Sequence, residues 1–367
     1  MSQSLDHLTI EQKIGQLFFI GIGGVELDDT ATKLLDRISP GGICLFARNI
    51  REPRQTRELN DSIKDRCIVP PLISVDQEGG LVDRLRRLMT PMPAANKLKD
   101  QETAGKLGAI IAETIRILGF NMDFAPVVDV IDRSRESTNN GLYSRAFGGN
   151  AHDAVDLAGR FVERLQDGGC MGCLKHFPGL GASTVDSHEE LPSVAIDKDE
   201  LFARDLLPYR ELLKRDLVHS VMVAHALYPN TGLQETSSGG KLLPSSLSFE
   251  IVSKLLRREL GFNGLVITDD LEMGAIIKNF GIGEACVLAL EAGVDMLAIC
   301  ANAERINDGF NAVVEAVQSG RVSQDRLNSS LERITIAKAL IKEPLPFDTV
   351  RIAELSDAVG QINNELN

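Results

Sequence analysis

Eight short apolar runs, separated by stretches of helical periodicity, constrain this chain more than any other feature. The runs are 17–22, 42–47, 71–76, 122–129, 172–177, 220–225, 265–270 and 295–300. They are apolar along their length and not at alternate positions. Continuous hydrophobicity means that both strand faces are buried, as in a parallel sheet. Helical patterns occupy 29–38, 53–64, 102–118, 151–165, 197–214, 248–260 and 284–292, with one more at 9–15. Pro53 sits in a first turn, where its missing N–H costs nothing. Gly119 and Gly261 stop two of the helices, and Pro208 starts a second segment within 197–214. Helices at 303–319 and 323–342 follow the last strand. Eight βα units in 367 residues favour a single-domain (β/α)8 TIM barrel with C-terminal helices over a doubly wound sheet. The barrel is expected to run through residue 345, with 346–367 a polar tail packing on it or trailing from it.

A net charge of −13 without a basic run argues against nucleic acid and anionic membrane as main partners. No apolar run reaches the ~20 residues of a membrane span. Residues 1–12 lack the layout of a secretory signal, so a cytoplasmic protein is expected. The six cysteines stand at 44, 67, 170, 173, 286 and 300. Cys170 and Cys173 form one CxxC without a second pair to complete a zinc site. Reduced cysteines in apolar surroundings act as small hydrophobes.

A barrel carries its active site at the C-terminal strand ends. Unusual polar residues cluster there: Asp76 with Arg84 nearby, Lys175-His176 followed by Asp186 and His188, His225, and Asp269-Asp270. Charges closing strands this apolar fit a polar mouth better than a core, because a buried charge is costly unless paired. Bland readings stand beside this one. Asp76 could cap a turn, Lys175 could pair with a neighbouring acid, and His225 reads as a hydrogen-bonded core histidine. Asp269 and Asp270 point to opposite faces, so one faces the mouth and the other caps the next helix. Asp186 and His188, two residues apart in a Gly-loosened loop, suit an acid–base unit in which the carboxylate orients the imidazole. The Gly179-Leu180-Gly181 turn makes a poor phosphate cradle, since no helix follows at once.

Lys175-His176-Phe177-Pro178-Gly179-x-Gly181 followed by Asp186-Ser187-His188 and Leu191-Pro192 resembles the signature of glycoside hydrolase family 3. Within it, the single-domain bacterial β-N-acetylglucosaminidases of peptidoglycan recycling are the nearest pattern. Supporting blocks are Val75-Asp76-Gln77-Glu78-Gly79-Gly80 with Arg84, Phe124-Ala125-Pro126-Val127-Val128-Asp129, Ser144-Arg145-Ala146-Phe147, Met222-x-Ala224-His225 and Thr268-Asp269-Asp270-Leu271-x-Met273. The resemblance covers roughly residues 8–340. It implies Asp269 as nucleophile of a retaining mechanism, His188 as general acid/base and Asp186 as its orienting carboxylate. It implies Asp76, Arg84, Arg145, Lys175 and His176 as ligands of the sugar. It implies a small carbohydrate as substrate, no cofactor, no metal, and a monomer or weak homodimer. An imidazole acid/base also leaves phosphorolysis open, since it repels an incoming anion less than a carboxylate does.

Two positions depart from common family forms: Leu180, where many relatives carry His, and Leu81, where a frequent form has Arg. Two other classes compete. A metal-dependent barrel hydrolase could use His176, Asp186, His188, His225 and an acid from the seventh strand, but the first strand end, Gly21-Ile22-Gly23-Gly24, supplies no ligand. A non-enzymatic sugar sensor would be expected to have lost the nucleophile or the dyad, and both residue sets are present.

Overall fold

The computed structural model of the protein describes residues 5, 7–136, 140–184, 190–237 and 239–366. Eight parallel strands form one sheet: β1 (Phe18–Gly21), β2 (Gly42–Leu45), β3 (Leu72–Val75), β4 (Met122–Asp123), β5 (Met171–Phe177), β6 (Ser220–Val223), β7 (Leu265–Thr268) and β8 (Leu297–Ile299). Strands β1 to β7 pair in chain order, and β8 pairs back onto β1 through Leu297 and Phe18. A bridge between Ile267 and Met296 joins β7 to the chain entering β8. The result is a (β/α)8 barrel. Strands β1–β3 and β5–β7 are buried at every position, which is why their sequences are apolar without alternation.

Strand four is shorter than the apolar run 122–129. Pro126 has no N–H to give a ladder, so regular pairing stops at Asp123. Contact resumes beyond it, where Val128 N–H donates to the Lys175 carbonyl at 2.8 Å. Asp129 is thereby held against β5.

Helices cover the outside, and their starts follow from side-chain caps. The Asp28, Asp100, Asn302 and Ser323 side chains accept from the first-turn amides of Asp29–Ile38, Gln101–Ile117, Ala303–Gln318 and Gln324–Ala339. Pro208 opens the helix Leu207–Lys214, as expected, after a π-helical turn at Leu201–Asp205. The last segment departs from its reading as a polar tail. Thr349–Leu366 is a helix that buries Ile352, Leu355, Val359 and Ile362 and packs on Gln101–Ile117. Spacings of three and four put those residues on one stripe of an otherwise polar segment. Among the described residues, no helix is long and apolar enough to cross a membrane.

Candidate active site

The C-terminal rim of the barrel is built on a charged cluster around Lys175. Chain leaving β3 passes Asp76 and folds into a small hairpin, Gln77–Gly79 against Val82–Asp83. Gly79 and Gly80 turn it at φ +88° and +59°, a region that side-chain-bearing residues rarely adopt. Gln77 holds the hairpin closed: its Nε2 donates to Asp83 at 2.8 Å, and its Oε1 accepts from the amides of Arg84 and Leu85. This turn directs Glu78 inward, to 4% exposure.

Lys175, on β5, is 2% exposed. Its Nζ donates to Asp76 at 2.8 Å and lies 2.6 Å from Glu78. Arg145 grips Glu78 with a two-pronged fork at 2.8 and 2.9 Å. Arg84 stands 3.8 Å from the other oxygen of Asp76. Burial alone would raise the Glu78 carboxyl, but Lys175 and Arg145 outweigh it and hold it well below the usual carboxylate range. Burial would likewise lower Lys175, yet Asp76 and Glu78 keep its ammonium above its ordinary value. Glu78, Lys175 and Arg145 are therefore ionised at neutral pH, in a cluster that sets three basic side chains against two acidic ones.

The next side chain, His176, turns to a different partner. Its Nδ1 lies 2.6 Å from Asp129, which also accepts from the Leu180 amide at 2.6 Å. Asp129 thus fixes both the imidazole and the start of the loop after β5.

Asp269 follows β7 on the same rim. Its amide donates to the Val223 carbonyl, and its Oδ1 accepts from the Asp270 amide at 2.8 Å. Strand register puts Thr268 level with Val223 and Val223 level with Phe177, so Asp269 and Lys175 share one end of the barrel. Asp270 caps the turn after β7 and not the next helix: its Oδ1 accepts from the Glu272 amide at 3.0 Å, whereas the helix Gly274–Ile277 starts without a side-chain cap. Burial pushes its carboxyl up to about 7, with repulsion from Glu272 and Asp269 adding to the rise. His225 is fully buried, its Nδ1 2.7 Å from Ser246 Oγ and its Nε2 3.1 Å from the Asp270 carbonyl. It is a hydrogen-bonded core histidine that ties β6 to the chain carrying Asp269.

Asp76, Arg84, Arg145 and Lys175 come together in one cluster, with His176 beside it and Asp269 across the rim. Asp186 and His188 lie outside the described residues. Glu78 and Asp129 are the members that strand-end reasoning did not single out. Asp129 closes an apolar run as Asp76 does, and the same rule finds it. Leu180 is buried and Leu81 is 69% exposed, so the first departure packs in the core and the second faces solvent. Cys170 and Cys173 are free and buried, and burial pushes the Cys173 thiol up to about 12, far from a reactive thiolate. Among the described residues, no three His, Cys, Asp or Glu side chains converge to hold a metal.

The rim thus carries the strand-end carboxylate of Asp269 at the same end of the barrel as a cluster of paired acidic and basic side chains. Residues 9–337 match the glycosyl hydrolase family 3 N-terminal domain, and the chain belongs to that family. It is 36% identical over 286 residues to a β-hexosaminidase of Pseudomonas aeruginosa, covering 77% of this chain and 81% of that protein. It is 30% identical to β-hexosaminidase A of Pseudoalteromonas piscicida over 90% of its own length, but spans only 57% of that longer protein. A solved family 3 β-N-acetylglucosaminidase from Paenibacillus sp. str. FPU-7 superposes with a TM-score of 0.87 at 36% identity, covering 97% of this chain and 69% of that one.

Proposed function

We propose that the protein is a retaining β-N-acetylhexosaminidase that releases terminal β-linked N-acetylglucosamine from small glycosides, peptidoglycan fragments among them. The observation that carries this reading is Asp269 on the rim shared with the Lys175 cluster. Asp269 attacks the anomeric carbon and forms a covalent glycosyl-enzyme, while His188 protonates the departing oxygen. His188, oriented by Asp186, then takes a proton from the incoming water, and the sugar leaves with its configuration retained. Asp76, Arg84, Arg145, Lys175 and His176 hold the hydroxyls of the sugar through charge-assisted hydrogen bonds, which are roughly twice as strong as neutral ones. Because these groups are pinned to one another and to strand ends, they are set before substrate arrives and lose little freedom on binding it.

The names of the relatives support the sugar, and the family supports the chemistry. Aryl β-glycosides of N-acetylglucosamine, N-acetylgalactosamine, glucose and xylose, each with and without phosphate, test substrate and acceptor together. The expected outcome is turnover of the N-acetylglucosaminide, free sugar in both buffers, and a loss of roughly 10⁴-fold or more in Asp269→Ala. A sugar 1-phosphate in the phosphate arm would move the assignment to a phosphorylase. Wild-type-like rates in Asp269→Ala would remove the nucleophile and the mechanism with it.

A further inference from the structure

At the base of the barrel, opposite the rim, a pocket of about 290 Å³ opens beneath the starts of β3 and β4. Val69, Pro71 and Ile73 form one wall, and Ile341 with Pro344 forms part of another. Four charged side chains line it: Lys64, Lys338, Lys342 and Glu343. Glu343 is engaged by Lys64. Lys338 Nζ donates to Gln16 Oε1 at 2.8 Å, a neutral acceptor. Among the described residues, neither Lys338 nor Lys342 is paired with a carboxylate. Three lysines thus face a single carboxylate in this pocket of a chain whose net charge is −13.

Lys338 is half-buried, and among the described residues no carboxylate offsets the cost of taking its ammonium out of water. Burial pushes Lys338 down to about 7, opposed only slightly by Cys67, whose own thiol burial pushes up to about 11. Of the other charged groups lining the pocket, Lys64 and Glu343 satisfy each other, and Lys342 is exposed with no carboxylate partner among the described residues. An anion beside Lys338 would supply the counter-charge that Gln16 and the other described residues do not. The neighbouring amide of Asn121 is held in place, one Nδ2 hydrogen donating to the Pro71 carbonyl and its Oδ1 accepting from Ile73, which leaves one N–H to offer. No arginine lines the pocket to present the planar fork that suits phosphate.

We propose that this basal pocket binds a small organic monocarboxylate, its carboxylate paired with Lys338 and Lys342 and its short apolar body against Val69, Pro71, Ile73 and Ile341. The site is separate from the rim and does not depend on the glycosidase reading. Isothermal titration of the full chain with hexanoate, and separately with inorganic phosphate, tests it at pH 7. Hexanoate should bind with a Kd below about 1 mM, at least about tenfold more tightly than phosphate. Lys338→Met should weaken hexanoate at least about tenfold and leave aryl glycoside turnover unchanged. A second measurement uses the unaltered protein: saturating hexanoate should slow acetic anhydride labelling of Lys338, read by mass spectrometry, while leaving the exposed Lys214 unaffected. This protection decides the matter alone if Lys338→Met does not fold. The proposal is overturned by absence of hexanoate heat and protection up to about 10 mM, by undiminished binding in Lys338→Met, or by phosphate binding as tightly as hexanoate.

Discussion

Replacing Lys175 by methionine keeps the length of the side chain and removes one charge from the centre of the rim. A unit charge pair at the 2.6 Å separating Lys175 from Glu78 is worth about 6 kcal/mol at an effective dielectric of about 20. Most of that does not appear as lost stability. The substitution also removes the cost of burying the ammonium, Arg145 keeps its fork on Glu78, and Arg84 keeps Asp76 within 3.8 Å. The net loss should sit at the low end of the range for breaking a buried pair, about 3 kcal/mol. With an unfolding entropy of about 2 cal/mol/K per residue, that is a fall of about 4 °C in Tm for this chain. Thermal unfolding at pH 7, followed by circular dichroism, reads it. The pH dependence gives the sign. Glu78 titrates below its ordinary value, so its contribution is present above about pH 4.3 and is lost as the pH falls through its folded value. Losing Lys175 moves the Glu78 carboxyl upward, so the deficit should be largest near neutrality and should narrow as both proteins are acidified. A Tm within 1 °C of the unaltered protein at pH 7 would refute the reasoning, because the cluster would then be held by something other than its charges.

Asp270→Asn tests the carboxyl at the end of β7. Its folded value near 7 lies above that of the unfolded chain, so the native state binds the extra proton and wild-type stability declines as pH rises from about 4 to about 7. The difference in Tm should therefore move in favour of the variant across that window, which scanning fluorimetry at stepped pH will show. Leu355→Ala tests the terminal helix. It removes a buried side chain from the stripe facing Gln101–Ile117 and should cost that contact about 2–3 kcal/mol. Amide exchange should accelerate across Thr349–Leu366 while the barrel strands keep their protection.

Much of the barrel was legible because its determinants are local. A strand buried on both faces must be apolar at every position, and a helix must cap its first turn. The run 122–129 overstated β4 because Pro126 passes for a core residue until its missing donor is counted. The terminal helix was obscured by composition: four buried residues among eighteen do not lift the average, although their spacing carries the signal. The site divides in the same way. Asp76, Lys175, His176 and Asp269 are visible as polar residues ending apolar strands. Their pairings are not, since Glu78 meets Arg145 across 67 residues and His176 meets Asp129 across 47. Pairing of that kind is set by which strands neighbour each other. The roles given to Asp186 and His188 rest on the motif alone.

The sequential strand order of the barrel has a consequence for a chain still being made. Asp76 leaves the ribosome 99 residues ahead of Lys175, an interval of about 5–20 s at usual elongation rates. Until then the two acids of the third βα unit lack the cation that later joins them, and nothing on the nascent chain can rehearse the finished rim. Strand β1 waits longer still, since its second neighbour, β8, is synthesised last of the eight. An edge left open for most of translation is a place for wrong partners. On this chain the exposure falls to Phe18-Phe19-Ile20, whose amides and carbonyls stay unsheltered on one side until Leu297 arrives.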